Sequence, residues 1–264
     1  MITIEIMGGL GNQLFQIAVL ISYSLTHKIP FYFEKKEPTR FDRPFYWDNL
    51  LKSLSPFLKP HVPLPLYKEP HFHYKEIPYI HTPFKLFGYF QSYKYFKDHE
   101  ETLFRFLKIR ETQKLFNVSN SISLHFRIGD YQHLQEHHPL LPTEYYIKAL
   151  DMLLQDTQKD DWTILYFFEE KDRIQVHKHV KILKQTYRKL IFQPIDNNIS
   201  DWEQMIQMSL CNHNIIANST FSWWGAYLNP LNNNVYYPCQ WFGPAQGGKL
   251  MNDLFPPHWK IIKW

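Results

Sequence analysis

Between residues 122 and 217 the chain alternates short apolar runs with longer amphipathic ones, and this pattern narrows the folds open to it more than any other feature. Residues 122–127 read as a strand, Thr143 and Glu144 open a helix running toward 154, and 162–168 is a buried strand. A basic, polar helix follows over 171–188, then a short strand over 190–193. Ser200-Asp201-Trp202-Glu203 is a capping box, in which hydroxyl and carboxylate satisfy each other's backbone amides, so a helix with Trp202, Met205, Ile206 and Leu210 inward begins there. Residues 214–217 form the next strand, leading into Asn218-Ser219-Thr220-Phe221-Ser222. Strand and helix in strict alternation imply a parallel sheet with helices on its faces. Ligands of such sheets sit beyond the carboxyl ends of the strands, so the loops that follow the strands are where chemistry is expected.

The first half opens the same way. Residues 2–6 alternate apolar and polar, Met7-Gly8-Gly9-Leu10-Gly11-Asn12-Gln13 follows, and Leu14, Ile17, Ile21 and Leu25 then recur at helical spacing. A glycine-rich turn between strand and helix lets backbone approach a ligand and aims amides at it, although a plain βα turn fits equally well. It is neither a phosphate-binding Walker loop nor a full dinucleotide fingerprint. Nine of the eighteen prolines fall in 38–83, which predicts short helices and loops there. His61, His71, His73 and His81 in that region lack carboxylate or Cys companions at ligand spacing and read as surface or packing residues. Residues 85–90 suggest a strand and 96–116 an amphipathic helix, and the polar break at 117–121 places a boundary between domains 1–118 and 119–264.

Composition excludes several classes. A net charge of +4 with dispersed basic residues argues against a nucleic-acid protein and allows a small anionic ligand. Cys211 and Cys239 belong to no metal-spaced set, which predicts a reducing compartment. Without an apolar run of roughly 18 residues or a signal-peptide pattern, the reading is a cytoplasmic protein with no membrane span, peripheral attachment through exposed aromatics or Lys remaining open.

Three loops carry candidate chemistry. The first offers backbone amides with Asn12 and Gln13; the second offers His125 and Arg127, which at i and i+2 share one side of a strand. The third offers the hydroxyls of Ser219, Thr220 and Ser222 at a helix N-terminus, where hydroxyl, amide and dipole all favour a phosphate. Arg suits a diphosphate because its planar donor fork stays charged and meets two oxygens at once. Each has a plainer reading: Arg127 and Asp130 as a surface ion pair, Ser219 as an N-cap, Trp223 and Trp224 as core. Together the three loops describe a pyrophosphate cradle without a metal.

Met7-Gly-Gly-Leu-Gly-Asn-Gln-Leu-Phe-Gln16, His125-x-Arg127-x-Gly-Asp130 and Cys211-x-His213-x-Ile-Ile-Ala-Asn218-Ser-Thr-Phe-Ser-Trp-Trp-Gly225 together resemble the α-1,2-fucosyltransferase family. The resemblance spans residues 7–225, and 38–83 adds nothing to it. It implies an α/β fold of GT-B type, with two Rossmann-like parallel-sheet domains facing a donor cleft. The activity implied is metal-independent, inverting transfer of L-fucose from GDP-fucose to a glycan, with no further cofactor. By the same resemblance Arg127 holds the β-phosphate and His125 sits near the nucleoside. Asn218, Ser219, Thr220 and Ser222 form the phosphate loop, Asp201 is the nearest match to a guanine-reading Asp, and Gly9, Gly11 and Asn12 face the fucose. Inversion needs a base, for which Asp130, Glu136 and His133 are all candidates. Asp130 also suits an orienter of Arg127. Many relatives carry Phe-Ser-Asp-Asp where this chain has Phe168-Glu169-Glu170, a departure that leaves one nucleoside contact without its residues. Another GDP-sugar such as GDP-rhamnose, or a non-catalytic nucleotide-sugar or glycan binder, are the alternatives.

Overall fold

In a computed structural model describing residues 1–35, 44–118, 120–231 and 233–264, the chain divides into two compact units. The first comprises residues 1–114 with 249–256, the second 115–248 with 257–264. Residue 119, at the boundary read from the sequence, and 36–43, within the proline-rich stretch, lie outside the described residues.

In the first unit the buried isoleucines of β1 (Ile2–Ile4) start a parallel sheet, and α1 (Leu10–His27) follows the glycine turn, buried along its run from Leu10 to Ser24. It ends where Lys28 turns left-handed and its amide caps the Ser24 carbonyl. β1 pairs in parallel with β5 (Phe84–Phe87), which pairs with β4 (Leu66–Lys68). A bridge from Ile2 to Phe31 leads to β2 (Phe33–Glu34), which pairs with β3 (Leu58–Lys59). The proline-rich stretch therefore supplies two strands rather than only short helices and loops. Strands of two or three residues are too short to show an alternation, and edge positions tolerate proline. The single helix expected over 96–116 is also corrected: it breaks into α2 (Glu100–Phe106) and α3 (Ile109–Gln113) because Lys108 adopts φ 52°. Residues 249–256, assigned by sequence to the second domain, pack in the first unit. There Asp253 pairs with Lys94, and its carbonyl accepts from the Ser92 hydroxyl at 2.6 Å.

Among the described residues the second unit holds six parallel strands: β6 (Ser121–His125), β7 (Thr163–Phe167), β8 (Ile191–Pro194), β9 (His213–Ile215), β10 (Val235–Pro238) and β11 (Lys260–Ile262), in the order β8-β7-β6-β9-β10-β11. Counted within the unit this is 3-2-1-4-5-6, the doubly wound order, whose direction reverses between β6 and β9. Helices α4 (Thr143–Thr157) and α5 (Arg173–Thr186) cover the face carrying Ile122, Leu124 and Ile164, joining Tyr145, Leu150, Val176 and Leu183 in one core. From the capping box runs α6 (Asp201–Ser209), and α7 (Thr220–Tyr227) follows β9. The α6–α7 contact is close: a Cβ at Gly225 would lie 2.3 Å from Met208 Sδ. Trp223 and Trp224 are wholly buried, as core residues. β10 and β11 have no counterpart in the sequence reading.

Candidate active site

Where the sheet reverses direction, the chain leaves β6 and β9 side by side, and the loops beyond them carry the second and third motifs. Buried Ser123 and His125 alternate with Ile122 and Leu124, so the polar side of β6 faces away from the α4–α5 core. The His125 ring lies 5.6 Å from Phe221 in the first turn of α7, and the Tyr131 hydroxyl donates to the Asn218 carbonyl at 3.2 Å. These two contacts join the loops.

Burial lowers the pKa of His125 to about 3, with the Arg127 charge adding to the effect and Glu169 opposing it. The imidazole is therefore neutral, and its Nδ1 is buried without a hydrogen-bond partner among the described residues. A buried polar atom of that kind is costly unless something else fills the position.

Arg127 is held on three sides. One terminal nitrogen donates to Asp130, the other to Glu169, and the guanidinium lies 4.7 Å above the Tyr131 ring. Its side chain is only 16% exposed. Gly129 makes the approach feasible, since at φ 41° a Cβ there would stand 2.9 Å from an Arg127 nitrogen. Asp172 fixes that turn by accepting the Gly129 amide at 2.7 Å. Burial would raise the pKa of Glu169, but the hydrogen bond from Lys171 at 2.6 Å and the Arg127 charge outweigh it and hold the carboxyl below its ordinary value.

The third loop is partly turned inward. Ser219 is the N-cap of α7, accepting the Phe221 amide at 3.3 Å. The Ser222 hydroxyl is fully buried and donates to the carbonyls of Ala217 and Ser219, so it holds the turn. Asn218 does the same work, donating to the Pro139 carbonyl at 2.9 Å. Thr220, half-buried, opens the helix. Asp201 opens α6 after β8, two strands from β6, and accepts the amide of Trp202 at 2.8 Å.

Of the candidate bases, Asp130 is engaged by Arg127. Glu136 is exposed, and its carboxylate has no hydrogen bond or ion pair among the described residues. Its backbone is pinned, because its carbonyl accepts the Ala245 amide at 2.9 Å and Gly243 packs so closely that a Cβ would sit 2.4 Å from that oxygen. His133 is exposed in the same loop. In the first unit, Gly9 is the N-cap of α1 with no described atom within 4 Å of where a Cβ would sit, Gly11 is buried in the helix, and the Asn12 side-chain Oδ1 accepts from the Gln91 side-chain amide at 2.9 Å. Gln13 and Gln16 tie the turn to Gly8, Pro44 and Gly88. Among the described residues no group of three His, Cys, Asp or Glu is placed to hold a metal ion.

Sequence reasoning missed Tyr131, Asp172 and Glu169. Glu169 had a signal, the departure from Phe-Ser-Asp-Asp; Tyr131 and Asp172 act through contacts 87 and 43 residues away that no local pattern encodes.

Residues 66–262 match the model of glycosyl transferase family 11. The chain is 31% identical over 189 residues to an Escherichia coli protein named O-antigen biosynthesis glycosyltransferase WbnK, an alignment covering 64% of this chain and 58% of that one. The chain thus spans less than two thirds of that relative. A Caenorhabditis elegans protein named galactoside 2-alpha-L-fucosyltransferase is 27% identical over 99% of this chain and 79% of its own. Among solved structures, Escherichia coli ADP-heptose LPS heptosyltransferase II aligns with a TM-score of 0.51 at 11% identity, covering 99% of this chain and 89% of that one, which supports the GT-B type of fold.

Proposed function

Since the chain belongs to glycosyl transferase family 11, we propose that it moves L-fucose from GDP-fucose to a sugar hydroxyl of a glycan, the 2-hydroxyl of a galactose, with inversion. One observation carries this reading. The guanidinium of Arg127 and the N-terminus of α7 lie on the two loops that meet at the reversal point of a doubly wound sheet, where anionic ligands of such sheets bind.

In the reaction the acceptor oxygen attacks the anomeric carbon as the bond to the β-phosphate oxygen breaks, its electron pair staying on GDP. Arg127 and the α7 N-terminus stabilise the growing negative charge, a preorganised electrostatic effect that usually outweighs others. The acceptor proton passes to Glu136, whose exposed carboxylate is unengaged among the described residues, while Asp130 orients Arg127. Neutral His125 offers its buried Nδ1, unpartnered among the described residues, to the nucleoside. The N-terminal unit takes the acceptor, and the phosphate charge is met by protein groups without a metal.

The test is turnover with a panel of GDP-sugars and a galactoside acceptor, in the presence and absence of EDTA. Transfer from GDP-fucose, insensitive to EDTA and lost in Arg127→Ala with folding intact, is expected. Turnover of GDP-rhamnose alone overturns the donor; GDP binding without product over long incubation overturns catalysis.

A further inference from the structure

Helix α5 touches the donor loop at its N-terminal end, where Asp172 accepts the Gly129 amide and Gln175 donates to Gln132, yet its outward face is unusual for a solvated helix. Val176, Val180 and Leu183 point into the core. At 100° per residue the opposite pole is formed by Ile174, Lys178, Lys181 and Gln185, with Ile182 beside it. Ile174 is 77% exposed and Ile182 44%. Between residues 171 and 189 there are seven Lys and Arg and one acid, Asp172, which is buried against Gly129. Three of the seven are met locally, Lys171 by Glu169, Arg173 by Glu170 and Lys189 by Asp160, which leaves Lys178, Lys181, Lys184 and Arg188 as the cations that the segment presents. Lys178, Lys181 and Lys184 are exposed and enter no ion pair among the described residues.

We propose that α5 is a membrane-docking helix whose partner is an anionic phospholipid surface. A nucleic acid would use the charge but has no use for isoleucines at the outer pole. A bilayer interface uses both: the isoleucines enter the boundary between headgroups and acyl chains, and the lysine stems lie along it with their ammonium groups among the phosphates. The N-terminal end of α5 is tied to the donor loop through Asp172 and Gly129. A helix lying in the interface therefore holds the turn after β6, two residues from Arg127, against its own N-terminal end. An acceptor carried on a lipid would be presented at such a surface.

The full chain is sedimented with large unilamellar vesicles of phosphatidylcholine alone and of equal parts phosphatidylglycerol and phosphatidylcholine, as wild type, K178E/K181E and I174S/I182S. Wild type is expected to pellet with the anionic vesicles only. Each lysine near such a surface contributes about a fivefold factor in partitioning, so K178E/K181E binds at least about tenfold more weakly. Loss of both isoleucines lowers partitioning by about tenfold as well. GDP titration of the same samples stays at wild-type affinity, separating this surface from the donor site. Wild type left in the supernatant overturns the proposal. So does I174S/I182S pelleting like wild type while the protein binds an oligonucleotide tightly, the signature of a general polyanion contact.

Discussion

Replacing Glu169 by Gln asks whether that carboxylate competes with the donor phosphate or positions the arginine for it. Glu169 and Asp130 share the fork of Arg127, and both carboxylates are substantially exposed, at 43% and 45%. An ion pair so open to solvent contributes about 0.2–1 kcal/mol, a factor of roughly 1.4 to 5 in an equilibrium constant. Glu169 is ionised at neutral pH, because Lys171 and Arg127 hold its pKa below the ordinary value. A phosphate reaching Arg127 must therefore share or displace it. Glu169→Gln keeps the shape and removes the charge, so Kd for GDP should fall by up to about fivefold in calorimetric titrations at neutral pH and low salt, where the effect is least screened. Arg127→Ala removes charge-assisted hydrogen bonds worth about 1.5–3 kcal/mol and should raise the same Kd by roughly ten- to a hundredfold. A raised Kd for GDP in Glu169→Gln would refute the competition and make Glu169 a positioning residue.

His125 supplies a pH test. Its pKa is 6.5 ordinarily and about 3 in the folded chain, so below pH 6.5 the unfolded chain takes up a proton that the folded chain refuses. Stability conferred by the neutral form is thus complete above 6.5 and is lost toward pH 3, at about 1.4 kcal/mol per pH unit; chemical denaturation should show a shallower acid slope in His125→Gln. Asn214, wholly buried, donates to the Ser123 hydroxyl at 2.6 Å and the Met208 carbonyl at 2.8 Å while accepting from Asn229 and Asn233. Asn214→Ala strands those partners and should cost about 3 kcal/mol, lowering Tm by roughly 10 °C; an unchanged Tm would count against the network. Gly225→Ala presses a methyl into Met208 and should cost about 1–3 kcal/mol by the same measurement, with GDP affinity retained.

The sequence by itself determined the βα alternation of the second unit, the capping box at Ser200 and the identity of three loops with anion chemistry. Those features are local: a period of two or 3.6 residues, a hydroxyl three residues before a carboxylate, a glycine where a turn needs one. Tertiary structure alone decided the strand order that sets β6 beside β9, so that Tyr131 reaches Asn218 and His125 meets Phe221. It also recruited residues 249–256 into the first unit and made strands of 58–59 and 66–68, segments too short to carry a period of their own. Arg127 shows the division most plainly. Its chemistry is legible from one residue type in one motif, but the carboxylate that occupies its fork comes from Glu169, 42 residues away on the loop after a neighbouring strand. Which side chains meet across a sheet depends on the order and register in which whole strands pack, and that order is settled by burying the two faces of the sheet together rather than by any local pattern.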